Sequence, residues 1–286
     1  MPNPFTVVDR FSARSLGLEH ILALAIGPDG DVYVTDTSHQ VAVIAPDGSV
    51  LRRWGGLGSA PGDFRFIPAA PSDRFDIHAK IAVGSDGRVY VSDPGNHRIQ
   101  VFTPAGRFLD EVGSFGSGKG QFLDPNWLSV DHEGNLYVGD GALGGVSKFS
   151  PDGRFIWRIG GNGSSDLDLE GHQHFLSVDA HDRLVTKSGS SPKVLYIDSA
   201  GHVVDSFVAG QCDVSVDAFG YTFTNGDGNC DAGVTKVFDR AHRLVGEWLG
   251  PDDPLSTPPV FGPHGLAFAV GPNGSLLRLQ ISLRER

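Results

Sequence analysis

The 286-residue chain has no cluster of basic side chains: 23 Lys and Arg stand against 34 Asp and Glu, for a formal net charge of −11. Nucleic-acid phosphates are held by grouped cations, so a nucleic-acid partner is not expected. There is no run of about 18 apolar residues, so no membrane-spanning helix is expected. No charged-then-apolar segment follows Met1. With residue 1 as the native start the expectation is a cytoplasmic protein; a removed signal peptide would make it secreted or periplasmic. No amphipathic helical stretch of useful length is present. Also missing are a Ser/His/Asp nucleophile signature, a phosphate-cradling glycine loop and a dinucleotide fingerprint. Only two cysteines occur, Cys212 and Cys230.

What the chain has in quantity is turns, with 39 Gly and 18 Pro. The stretch from Ile81 to Gly113, IAVGSDGRVYVSDPGNHRIQVFTPAGRFLDEVG, holds four short strand candidates rich in Val, Ile, Phe and Tyr. Each is bounded by turn residues. Asp86-Gly87 suits a two-residue hairpin turn, and Pro104-Ala105-Gly106 a second reversal. Such a four-stranded unit cannot bury both faces alone and needs copies beside it. The first turn recurs at Pro28, His132, Ala180, Ala218 and Pro272, and the turn between third and fourth strands at Pro46, Pro151 and Ser199. Six first turns predict an all-β, six-bladed β-propeller of four-stranded blades, a single domain over residues 1–286. Thr6 to Ala13 matches the outermost-strand pattern with no blade before it. It is expected to complete the sixth blade and close the ring, which leaves no exposed edge.

Asn96 to Phe102, NHRIQVF, and Gly118 to Pro125, GKGQFLDP, resemble the NHL repeat of six-bladed propellers. Blades two and three match well and blades four to six are degenerate. The resemblance implies the fold; it does not choose among the functions that fold hosts. Two long connections stand out, Gly58 to Asp76, read as a partial lid, and Gly250 to Pro263.

Eleven histidines are present. His39 and His97 fall between second and third strands, and His132, His181, His202 and His242 in turns of the opposite face. The other five, His20, His78, His172, His174 and His264, are read at the starts of innermost strands beside the channel. His78, one of His172 or His174, and His264 belong to alternate blades, so they approach the axis at roughly 120° intervals in a six-blade ring. Three neutral imidazoles with an open fourth position describe a catalytic zinc site. The cofactor expected is therefore a divalent metal, zinc, which polarises an oxygen or activates a bound water. The other reading of the same residues is a hydrogen-bonded channel lining around ordered water. Asp76, Glu170, Asp213 and Glu19 are the acid–base candidates. Arg74 and Lys80 suit an anionic substrate group. His20 is out of phase with the alternating set and is expected beside the metal or the substrate.

This pattern resembles the peptidyl-α-hydroxyglycine α-amidating lyase family, NHL-type propellers with three zinc histidines on alternate blades. Pro263-His264-Gly265-Leu266-Ala267 resembles its Pro-His motifs, and Ile77-His78-Ala79 a weaker copy. The resemblance also implies a disulfide between Cys212 and Cys230. Closing that short loop would stabilise by about 3 kcal/mol in the chain-entropy model, and two reduced thiols are the alternative. The chain departs from the family at Asn229, where its catalytic tyrosine stands. It departs again at Ala79 and Gly265, where a calcium-ligating Asp is found. Metal geometry is thus carried over and the reaction is not. The expected function is a metal-dependent lyase or hydrolase acting on a small molecule at the channel mouth, as a monomer. The rival is a non-catalytic scaffold binding a protein or peptide on the same face.

Overall fold

The structure, a computed structural model, describes residues 5–66, 79–161, 176–187, 193–209, 214–225, 234–249, 259–271 and 274–281. Strand β1 is Phe5–Phe11. Blade one is β2 (Ile21–Ile26), β3 (Val32–Asp36), β4 (Gln40–Ile44) and β5 (Val50–Gly55). Blade two is β6 (Ile81–Val83), β7 (Val89–Asp93), β8 (Arg98–Phe102) and β9 (Phe108–Val112). Blade three is β10 (Pro125–Val130), β11 (Leu136–Asp140), β12 (Gly145–Phe149) and β13 (Phe155–Gly160). Blade four is β14 (Leu176–Val178), β15 (Leu184–Lys187), β16 (Lys193–Ile197) and β17 (Val203–Val208). Blade five is β18 (Val214–Val216), β19 (Thr222–Asn225), β20 (Val234–Phe238) and β21 (Leu244–Leu249). The last strands are β22 (Val260–Phe261), β23 (Ala267–Val270) and β24 (Leu276–Ile281).

Six four-stranded antiparallel sheets result, and the sixth runs β22-β23-β24-β1. The chain's first strand therefore forms the outer strand of its last blade, as expected, with Phe5 opposite Ile281 and Phe11 opposite Leu276. The middle strands are buried on both faces, which is why VYVTD, VYVSD and LYVGD read as continuous apolar runs. The outermost strands alternate, as a half-solvated strand does. Blades pack face to face: Ala23, Tyr33 and Val41 of blade one meet Ile81, Val89 and Val91 of blade two. Trp127, Tyr137 and Val146 of blade three meet Leu176, Leu184 and Ile197 of blade four. Among the described residues, no helix is long and apolar enough to cross a membrane.

The first turns share one geometry. The leading residue's N–H donates to a carbonyl four residues on, as from Gly27 to Asp31 at 2.9 Å, Gly84 to Arg88 at 2.9 Å and Asp131 to Asn135 at 3.1 Å. Each needs one residue at positive φ, supplied by Gly30, Gly87, Gly134, Asp182 and Gly220 in blades one to five. Blade six corrects the sequence reading. Its first turn is Gly262–Leu266, with Gly262 donating to Leu266 at 2.9 Å and Gly265 at φ 74°. Its second reversal is closed by Gly271 N–H donating to Ser275 O at 2.8 Å, so the sequence's first-turn position falls one strand late. The innermost strand is the two-residue β22, which pairs with β23 and lies against β2.

The channel and its two mouths as a candidate functional site

Six innermost strands surround a central cavity of about 270 Å³. One mouth gathers the residues that lead into those strands, and we call it the entry mouth. The other is ringed by the six first turns and opens into a cavity of about 360 Å³.

At the entry mouth the backbone is held by carboxylates that end the second strands. Asp36, Asp93 and Asp140 are at most 1% exposed. Asp36 Oδ2 accepts from the Glu19 N–H at 3.1 Å. Asp93 Oδ1 accepts from Arg65 N–H at 2.7 Å, and its Oδ2 from Arg98 Nε at 2.9 Å. Asp140 accepts from the N–H groups of Leu123 at 2.8 Å and Asp124 at 3.2 Å. These carboxylates satisfy orphan donors rather than face the channel. Lys187 ends β15 where the first three blades end in Asp, and it is 1% exposed.

His20 does stand at this mouth, directly before β2, and it is exposed. A Cβ on Gly274 would lie 2.8 Å from its Nδ1, so the imidazole packs over the second turn of blade six. Its carbonyl accepts from Thr37 N–H at 3.1 Å. Lys80 leads into β6: its N–H donates to Ser92 Oγ at 2.7 Å, and its ammonium lies 4.1 Å over the Trp127 ring. Both Lys80 and Trp127 line the channel. Lys80 was read from sequence as suited to an anionic substrate group, but Lys187 and the pairing of Lys80 with Trp127 were not singled out. Aligning the second-strand ends would have exposed the first, since Lys interrupts a column of Asp.

The long connection after blade one is not a lid in its described part. Phe64 and Phe66 are fully buried. Gly58 N–H donates to Phe64 O at 3.0 Å, and Phe66 N–H to His39 Nδ1 at 3.0 Å. Ser114 to Leu123 repeats the arrangement after blade two, with Phe122 in the place of Phe64. Burial lowers the His39 pKa, and the Phe66 bond requires its Nδ1 to carry no proton.

His264 is the main correction. Its turn, Pro263–Gly265, belongs with the first turns, at the mouth opposite the one where innermost strands begin. It takes the place held by Asp29 and Asp86 in blades one and two. His264 thus follows the innermost strand of its blade rather than opening it, as the sequence reading had it. Arg74, Asp76 and His78, then Glu170, His172 and His174, then Cys212 and Asp213, and Cys230, all lie outside the described residues. Among the described residues no three His, Cys, Asp or Glu side chains gather to hold a metal ion. The other histidines fall as expected. His39 and His97 occupy positive-φ corners at φ 62° and 58°. His132 pairs with Asp182 at 2.8 Å on the first-turn face. At that mouth Asp131, Asp179 and Asp217 accept backbone N–H groups of their own turns. Burial raises the Asp217 pKa.

A family model for the NHL repeat matches residues 79–102, which is blade two up to the end of its third strand. Among solved structures the chain is similar to a gluconolactonase from Xanthomonas campestris, at 18% identity over 98% of this chain and 99% of that one, with a TM-score of 0.66. It is similar to a catalytically inactive virginiamycin B lyase from Staphylococcus aureus with quinupristin, at 9% identity over 97% and 99%, with a TM-score of 0.65. It is also similar to a chain of the nidogen/laminin complex, at 17% identity over 93% and 86%, with a TM-score of 0.59. At these identities the likeness is one of fold, and the fold is shared by enzymes and by a protein-binding propeller.

Proposed function

We propose that the chain is a small-molecule enzyme of lyase or hydrolase type, working at the entry mouth of the channel. The observation that carries this reading is the channel itself. It is a cavity of about 270 Å³ whose described lining is mostly apolar, entered past a cation, Lys80, with an exposed imidazole, His20, on the same mouth. A closed-in apolar space with a few polar groups at one end suits a small ligand. The structural neighbours include a lyase and a gluconolactonase, which agrees with these classes without choosing between them. In this reading His20 moves the proton, with Asp76, Glu170 and Asp213 as the carboxylates to test beside it. Lys80 and Arg74 stabilise negative charge gathering on oxygen. Zinc remains a proposal for His78 with His172 or His174. His264 lies on a first turn, so the third histidine of such a site is not assigned, and no step is routed through a metal.

The test is turnover of a panel of lactones, esters and eliminable small molecules by untagged protein whose metal content is measured in parallel. General acid–base groups contribute roughly 10²–10⁴-fold. His20→Gln should therefore lower turnover about 100-fold with the circular dichroism unchanged, and Lys80→Met should lower it as well. Equal rates in wild type and both variants would end the reading. The second reading, a protein-binding scaffold, is favoured by Leu57 and Phe115, which are 69% and 68% exposed on equivalent loops at the entry mouth.

A further inference from the structure

We propose that the channel binds a short hydroxycarboxylic acid, its carboxylate at Lys80 and its hydroxyl on an arc formed by Ser129, Ser177 and Ser215. This deepens the reading above by naming a class of molecule for the same channel.

The six innermost strands can be put in one register from the residue that opens each first turn, Gly27, Gly84, Asp131, Asp179, Asp217 and Gly262. Two residues earlier stand Ala25, Ala82, Ser129, Ser177, Ser215 and Val260, all lining the channel. The three serines fall on consecutive blades, three to five, so one half of the ring at this level is hydroxylic and the other half is hydrocarbon. Packing does not call for the hydroxyls, because Ala serves at the same level in blades one and two. Ser215 Oγ is buried without a hydrogen-bond partner, and neither Ser129 nor Ser177 hydroxyl bonds a described residue. A buried hydroxyl left unpaired costs about 1–3 kcal/mol. The Ser215 hydroxyl is accounted for by a ligand that bonds it, and the half-buried Ser129 and Ser177 stand at the same level of the same wall.

The same register puts Lys80 and Trp127 at one level, two residues nearer the entry mouth than the serines. At about 3.3–3.4 Å per strand residue the two levels are about 6.7 Å apart. Lys80 carries the one charge among the described residues lining the channel. The complementary molecule is an anion with a hydrogen-bonding group some five covalent bonds from its carboxylate. The hydrocarbon between them falls at the level of Leu24, Ile81, Leu128 and Leu176, which also line the channel. Such an acid is also the product class when water adds across the acyl C–O bond of a cyclic ester.

Isothermal titration with three six-carbon probes tests this: 6-hydroxyhexanoate, hexanoate and 1,6-hexanediol. The wild type should bind 6-hydroxyhexanoate at least tenfold tighter than either of the others. The triple variant Ser129→Ala, Ser177→Ala, Ser215→Ala should drop 6-hydroxyhexanoate to the level of hexanoate and leave hexanoate as it was. Lys80→Met should weaken both acids and spare the diol. Ser215→Ala alone, which replaces the one fully buried hydroxyl with the residue of blades one and two, gives the same direction if the triple variant does not fold. Equal binding of 6-hydroxyhexanoate and hexanoate by the wild type, or no change on removing the serines, overturns the proposal. Calorimetry reads binding without turnover. A protein that binds the hydroxy acid but turns over no substrate therefore counts against the enzyme reading and for this one.

Discussion

Gly113 and Phe122 are predicted to be energetically coupled, and the size of the coupling can be worked from the structure. Gly113 follows β9 at φ 94°. A Cβ there would overlap Cδ2 and Cε2 of the Phe122 ring, which is fully buried and packs on Phe149 at a centroid distance of 5.6 Å. Gly113→Ala carries two penalties. A left-handed backbone costs an L-residue about 1–2 kcal/mol, and overpacking a filled core costs about 1–3 kcal/mol. The single variant should lose about 2–5 kcal/mol. Phe122→Ala should lose about 3–5 kcal/mol through the cavity it leaves. In the double variant the added methyl enters that cavity, so only the backbone penalty remains and the sum falls short by about 1–3 kcal/mol. For 286 residues the unfolding entropy is about 0.6 kcal/mol/K, so 3 kcal/mol lowers the melting temperature by about 5 °C. Urea unfolding of the four proteins, followed by tryptophan fluorescence and circular dichroism together, measures the cycle. Additivity within about 0.5 kcal/mol, the behaviour of independent sites, would show that the methyl never meets the ring.

Two further outcomes follow from other parts of the ring. Removing residues 5–11 strips β24 of its partner and Phe5 of its contacts with Phe223 and Trp248, at 5.6 and 6.0 Å. Melting should fall by more than about 5 °C with light scattering rising from the bared edge, and an unchanged melting curve would mean that β1 does not close the ring. His39 binds its proton less readily folded than unfolded, so its contribution to stability is full above the unfolded pKa of about 6.5 and declines as pH falls below it. His39→Asn, which tolerates the positive φ, should flatten the stability slope between about pH 7 and 5; identical slopes would remove His39 as its source.

Most of the fold was legible because the repeat writes its turns in Gly and its middle strands in Val and Tyr. Asp86-Gly87 and Pro104-Ala105-Gly106 marked blade two, and its copies set the blade count. The sixth blade misled for a local reason. Gly262-Pro263-His264-Gly265 and Gly271-Pro272-Asn273-Gly274 are both Gly-Pro-x-Gly turns, and the second carries the stronger Asn-Gly signal. Choosing it shifted the blade by one strand and carried His264 to the wrong mouth. A two-residue strand beside Pro259 gives no alternation to correct the choice. The carboxylates of the entry mouth were hidden differently: Asp36, Asp93 and Asp140 looked like strand ends, and their work of capping backbone N–H groups depends on loops distant in sequence. Lys80 over Trp127 joins two blades, and the serine arc joins three, so neither is visible within any single repeat.

Because β1 pairs with β24, the blade it belongs to draws on two segments far apart in sequence. Synthesis at about 5–20 residues per second separates those partners by roughly 15–55 s. Throughout that interval Phe5, Val7 and Phe11 belong to a strand already made and still single. Blades one to five can each assemble behind the ribosome, but the molecule has no closed circumference until Leu276–Ile281 emerges. Closure is then a joining of an early segment to a late one, and the ring becomes one cooperative body only once β24 has been made rather than blade by blade.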